Sequence, residues 1–277
     1  LRSRTVDLSK VRILVIDEAD RMLDMGFIPD VRRIIAQLPR TERRQTLLFS
    51  ATLSNEILRV AQGWLKSPVM VEAEAEELVA ADIQQVIYAV SAKDKGALLL
   101  SLLADPAAER VLIFRNRRDQ CDRLADKLLA YNIDCAVMSG DVPQNRRLRV
   151  LEDFRAGRLR VIVATDVAGR GIHVDNITHV INFDLPYEPD DYVHRIGRTG
   201  RAGAKGLAIS FACEESAFVL PEIEQYVGHP LPVTQPAEGM LRLPHPPPGG
   251  RPRALEPAGE TIPGGERRSR PRRRTRR

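Results

Sequence analysis

At 277 residues and 43% hydrophobic content the chain has room for two globular domains of ordinary α/β composition. No apolar run of about 18 or more residues occurs and no signal-peptide pattern opens the chain; Cys121, Cys135 and Cys213 are widely spaced with no Cys-x-x-Cys pair, so a cytoplasmic protein with reduced thiols and no membrane role is expected. The net charge of +5 belongs to the tail: residues 236–277 hold eleven arginines against four glutamates, whereas the other 235 residues carry 31 basic and 33 acidic groups.

In chain order, Val11-Arg12-Ile13-Leu14-Val15-Ile16 is a near-continuous apolar run, expected as a buried parallel strand, and it delivers Asp17 and Glu18 at its carboxyl end. Ligands of open α/β sheets sit at that end. A helix is expected over residues 31–37, and Gln45-Thr46-Leu47-Leu48-Phe49 reads as a second buried strand with Ser50-Ala51-Thr52 at its tip. A helix over 55–64 and a short strand at 69–71 complete a first domain of residues 1–73. The Glu- and Ala-rich stretch that follows lacks apolar periodicity, which places a linker at 74–82.

A second α/β domain is expected over 83–233. Its strands fall at about 84–90, 111–114, 135–138, 159–164, 179–183 and 206–211, separated by helices at about 93–103, 119–131, 144–155, 190–196 and 214–227. That alternation predicts a parallel sheet covered on both faces. From 234 to 277 prolines, glycines and arginines dominate, with eight arginines in residues 266–277, and the tail is expected to be disordered.

An apolar strand ending in two carboxylates has the logic of a nucleotide-hydrolysis site: Asp17 can hold a hydrated magnesium ion, and Glu18 can orient or deprotonate an attacking water. The same pair also suits a plain helix cap. Asp20 is placed to hydrogen-bond to the Ser50-Ala51-Thr52 tip, although that tripeptide alone is uninformative. Ala164-Thr165-Asp166-Val167-Ala168-Gly169-Arg170-Gly171-Ile172 follows a strand and opens a turn whose N–H groups, with the Thr165 hydroxyl, suit a backbone phosphate as well as an ordinary capped turn. Gln144 and Arg147 lie three residues apart on a helix, fitting a second phosphate or a solvated face. In His194-Arg195-Ile196-Gly197-Arg198-Thr199-Gly200-Arg201 three guanidinium forks share eight residues with two glycines. Arg198 and Arg201 are spaced as two fingers on a terminal phosphate; a solvated basic loop is the alternative.

Taken together and in order, Asp-Glu-Ala-Asp, Ser-Ala-Thr, Ala-Thr-Asp-Val-Ala-Gly-Arg-Gly and His-Arg-Ile-Gly-Arg-Thr-Gly-Arg strongly resemble the DEAD-box RNA helicases over roughly residues 1–233. Residues 209–229, with the arginine-rich tail, look most like the bacterial RNA-degradation branch of that family. The resemblance implies two RecA-like parallel-sheet domains that close over ATP and single-stranded RNA, and an ATP hydrolase coupled to local duplex unwinding. It assigns magnesium to Asp17, the attacking water to Glu18, and arginine fingers to Arg198 and Arg201. His194 would link the ATP site to Asp17 and Thr52, while Asp20, Ser50 and Thr52 would couple hydrolysis to strand separation. Gly140, Gln144, Arg147 and Thr165 would line the RNA path.

The sequence departs from the family in three places. No Gly-x-x-x-x-Gly-Lys-[Ser/Thr] is present, so the first domain is expected to be incomplete, without the lysine cradle for the β- and γ-phosphates, and the chain alone inactive as an ATPase. His173 stands where many members have a ribose-contacting aspartate, and Arg117 where many have threonine. Readings from other classes are a non-catalytic module that holds RNA and docks a ribonuclease scaffold, and a DNA helicase of the same superfamily.

Overall fold

The structure is a computed structural model that describes residues 6–24, 26–72, 79, 82–169, 174, 176–201 and 203–247. The chain divides into two compact units, residues 1–74 and 75–277. Most of the expected linker and residues 248–277 of the tail lie outside the described residues.

In the first unit β1 (Ile13–Ile16) is followed by α1 (Ala19–Asp24) and α2 (Ile28–Ile35), and β2 (Gln45–Leu48) by α3 (Asn55–Gln62). The strands are parallel, with Ile16 beside Leu48. Ser54 caps α3: its side chain accepts from the Ile57 N–H at 3.3 Å, satisfying one donor that a helix start leaves open. Alternation along β1 sends Leu14 and Ile16 to the covered side, where Ile16, Ala19, Ile28, Ile57 and Trp64 form a small core.

Three expectations fail here. β1 is not buried on both faces: Ile13 and Val15 are 60% and 55% exposed, because the helices cover one side only of a two-stranded sheet. β2 is no buried strand either, since none of its residues is fully buried and Phe49 beyond it is 53% exposed. Residues 69–71 form no strand; Val69 and Val71 stand exposed without a ladder partner among the described residues.

In the second unit seven parallel strands lie in one sheet: β3 (Ile83–Ala89), β4 (Val111–Phe114), β5 (Cys135–Met138), β6 (Val161–Ala164), β7 (His179–Asn182), β8 (Gly206–Ala212) and β9 (Val233–Thr234). Their spatial order is β5-β6-β4-β7-β8-β3-β9. Between them run α4 (Lys95–Leu103), α5 (Arg118–Ala130), α6 (Gln144–Arg155), α7 (Asp166–Gly169), α8 (Pro189–Ile196) and α9 (Leu220–Val227).

The period-two geometry of a strand divides this core in two. Val111 and Ile113 of β4, with Ile209 and Phe211 of β8, pack under α4 and α5. On the opposite face Leu112 and Phe114 meet Phe154 of α6, while Ala208 and Ala212 meet Tyr192, Ile196 and Ile223 of α8 and α9. Both faces of β4 are therefore fully buried, as the uninterrupted apolar runs required.

Two boundaries shift. Helix α9 covers only the end of the expected 214–227 segment; Cys213 to Ser216 turn, Ala217–Val219 form one 3-10 turn, and Pro221 sits at the helix start. Residues 234–247, expected to be disordered, are partly built into the fold: β9 pairs with β3, and a 3-10 turn at Glu238–Leu241 lays Met240 and Leu241 against the core under α4. Two apolar side chains in a proline-rich stretch suffice to anchor it.

Candidate functional site

In the first unit β1 runs straight into a bend. Glu18 has φ +52, a left-handed conformation uncommon outside glycine, and the chain enters α1 at the next residue. The bend leaves Asp17 exposed at the carboxyl end of β1, where one of its oxygens accepts the Glu18 N–H at 2.9 Å. The backbone is held on both sides, by Phe49 N–H to Ile16 O at 2.7 Å and Ala19 N–H to Phe49 O at 3.1 Å.

Asp20 lies on the buried side of the same bend, and the hydrogen bonds expected of it are made. Its carboxylate accepts the Thr52 N–H at 2.9 Å and the Arg21 N–H at 2.9 Å, and its own N–H donates to Ser50 Oγ at 3.1 Å. Burial pushes this carboxyl up, but donors from Thr52, Arg21, Ser50 and Ala51 outweigh that cost and hold it below the usual carboxylate range. Asp20 thereby fastens the tip after β2 to the turn after β1.

In the second unit the carboxyl ends of β5 and β6 and the start of α6 draw together. Thr165 follows directly on β6, and its carbonyl accepts the N–H groups of Ala168 and Gly169 at 3.0 and 2.7 Å, which closes the turn into α7. Gly140 is exposed after β5, and a Cβ placed on it would lie 3.6 Å from Val167 Cγ1. Arg147 donates from Nη2 to the Ala168 carbonyl at 3.0 Å, tying α6 to the turn after β6. Gly140, Arg147 and Thr165 thus gather at one end of the sheet, with Gln144 exposed at the first position of α6. Arg170, Gly171 and His173 lie outside the described residues. Arg117, left without a role, is exposed and pairs with Asp119 at 3.0 Å.

Helix α8 positions the arginine cluster. Arg198 Nε donates to the His194 carbonyl at 3.0 Å and Arg201 Nε to the Gly197 carbonyl at 2.8 Å, so both cations sit on carbonyls at the negative end of the helix. His194 Nδ1 lies 2.8 Å from the Asp190 carbonyl. Gly200 follows at φ +67, where an added Cβ would meet Ile83 Cγ1 at 2.5 Å; the turn between the two arginines requires glycine. His194 belongs to the second unit, and Asp17 and Thr52 to the first.

The residue that sequence reasoning passed over is Arg195. Its guanidinium is 1% exposed and donates to Asp166 at 2.5 and 2.7 Å, to the Asp184 carbonyl at 2.7 Å and to Asn116 Oδ1 at 2.8 Å. Its Cζ also lies 5.2 Å from the centre of the Phe114 ring. One side chain therefore joins the ends of β4, β6 and β7 to α8. A signal was present: Tyr192, Arg195 and Ile196 share the inward stripe of α8, and a charge there demands buried acceptors.

Two family models match the chain, the DEAD/DEAH box helicase over residues 1–60 and the helicase conserved C-terminal domain over residues 94–203. The chain belongs to the DEAD-box helicase family. Among curated proteins it is similar to the ATP-dependent RNA helicase RhlB of Pseudomonas aeruginosa, at 54% identity over 86% of this chain and 60% of the relative. RhlB of Pseudomonas syringae is 52% identical over the same shares. The chain thus spans about 60% of the length of these relatives. Among solved structures it resembles Saccharomyces cerevisiae Dbp5 bound to RNA and ADP BeF3, with TM-score 0.73 and 32% identity over 85% of this chain and 62% of that one.

Proposed function

We propose that this chain supplies the catalytic carboxylates, arginine fingers and part of the RNA path of an ATP-dependent RNA helicase. The observation that carries the reading is the turned-out Asp17-Glu18 pair, braced by Asp20 against Thr52, in one chain with Arg198 and Arg201 at the end of α8. Asp17 fits a hydrated magnesium ion: it is exposed at a strand end, and a carboxylate with waters and phosphate oxygens is the usual magnesium environment. When bound, the ion neutralises charge on the terminal phosphates.

The chain's own groups do the remaining work. Glu18 orients the attacking water, Arg198 and Arg201 stabilise charge on the transferred phosphoryl group, and His194 links that site to Asp17 and Thr52. Asp20, Ser50 and Thr52 couple hydrolysis to strand separation. Gly140, Gln144, Arg147 and Thr165 hold the RNA backbone, which makes binding tolerant of sequence. Following the resemblance of residues 209–229 to the bacterial RNA-degradation branch of the family, we place the protein in the cytoplasm, in RNA degradation.

Single-stranded RNA binding by the 277-residue chain tests this reading. Gln144→Ala with Arg147→Ala should weaken binding by a similar factor on every sequence, and RNA binding unaffected by either change would overturn the assigned path. The second reading is an RNA-holding module that docks a ribonuclease scaffold. It predicts RNA binding without ATP turnover.

A further inference from the structure

The carboxyl edge of the second sheet carries a cleft that none of these roles uses. It opens beyond β7 and β8, with a volume of about 100 Å³, and Lys95, Gln120, Tyr187, Cys213, Ser216 and Phe218 are among its lining residues. Tyr187 and Phe218 are 68% and 71% exposed, the two most exposed aromatic side chains among the described residues. The 3-10 turn at Ala217–Val219 produces this: it buries Val219 in the core and turns Phe218 outward.

The lining below the rings is polar. Lys95 is 4% exposed and donates to the Phe183 carbonyl at 2.9 Å, with Asp184 at 3.5 Å, and the Ser216 hydroxyl lies 3.4 Å from the Cys213 thiol. Lys95 is already paired within the fold, but Gln120, Glu215 and Ser216 stay open to water, and an apolar peptide anchor would strip that water without replacing its hydrogen bonds. A nucleobase has a flat face for aromatic rings and hydrogen-bonding groups on its edge.

We infer that Tyr187 and Phe218 form a base-stacking subsite that extends the RNA path along this sheet edge. The inference rests on the RNA reading proposed above. The order β6-β4-β7-β8 separates the Thr165 tip from the loop after β8 by three strand spacings, roughly 14 Å. A single strand held at Thr165 by its backbone spans that distance within a few nucleotides.

The test is fluorescence anisotropy of the full chain with an oligouridylate of about ten nucleotides and with a matched strand lacking bases. Tyr187→Ala with Phe218→Ala should weaken binding of the base-bearing strand about five- to hundred-fold and leave the abasic strand unchanged. Phe218→Trp should restore much of the loss. Thermal unfolding of the variants shows that the fold is retained. Equal affinity of parent and double variant for the base-bearing strand overturns the inference and would point to a protein-docking surface, and an equal loss on both strands overturns it as well, indicating a backbone contact or a structural role. A parent chain that binds neither strand overturns the RNA reading itself, whereas a parent that binds RNA indifferently to these rings overturns only the subsite.

Discussion

Arg195 and Asp166 face each other through two hydrogen bonds, 2.5 and 2.7 Å long, with the guanidinium sealed from solvent. Removing one partner of such a pair leaves the other buried and uncompensated. Arg195→Ala should therefore cost about 3–5 kcal/mol of stability. Arg195→Lys should recover little, because an ammonium cannot reproduce the planar fork. Urea unfolding measures both, and a loss below about 1 kcal/mol would show that the network is not needed for the fold.

The first unit should be cut by protease before the second. It rests on one small cluster and leaves Ile13, Val15 and Phe49 at least half exposed, whereas three clusters fill the second. Local stability follows buried apolar contact. Limited proteolysis with mass analysis should show residues 82–233 outlasting residues 1–73; equal protection would contradict this.

Asp20 gives the first unit an acid limit. Its folded pKa lies below its unfolded value, so its contribution is complete above the unfolded pKa of about 3.9 and is lost as pH falls through the lower folded value. Asp20→Asn should cost about 1–3 kcal/mol at neutral pH, and the difference from the parent should shrink below about pH 4. A difference that stays constant with pH would contradict the assignment.

His179 acts at a higher pH. Burial pushes its imidazole below the usual range, Asp105 draws it up and Arg160 pushes it down further. The unfolded state then binds the proton more readily, so stability should fall as pH drops through about 6.5 toward the folded value. His179→Asn should flatten that part of the urea-unfolding profile. An unchanged profile would show that other groups set it.

Much of the fold was legible because a parallel sheet buried on both faces writes its strands as apolar runs: β4, β5 and the start of β8 stand where the runs predicted. The exposed face of β1 was not legible, since an apolar run does not record which of its faces the rest of the chain covers. Arg198 and Arg201 stood out by spacing, yet Arg195 did not, because its acceptors come from three separate loops that meet only after folding. The left-handed Glu18 was hidden for a similar reason, as it depends on the backbone bonds from Phe49.

In the proposed helicase the Asp17-Glu18 pair and the two arginines serve one nucleotide. RNA-stimulated ATP hydrolysis tests this most directly, measured on this chain joined behind the phosphate-loop segment of a curated relative. Glu18→Gln and Arg201→Ala should each lower the rate about a thousand-fold or more, with RNA binding retained. Hydrolysis that persists at the parental rate in either variant would contradict the shared site.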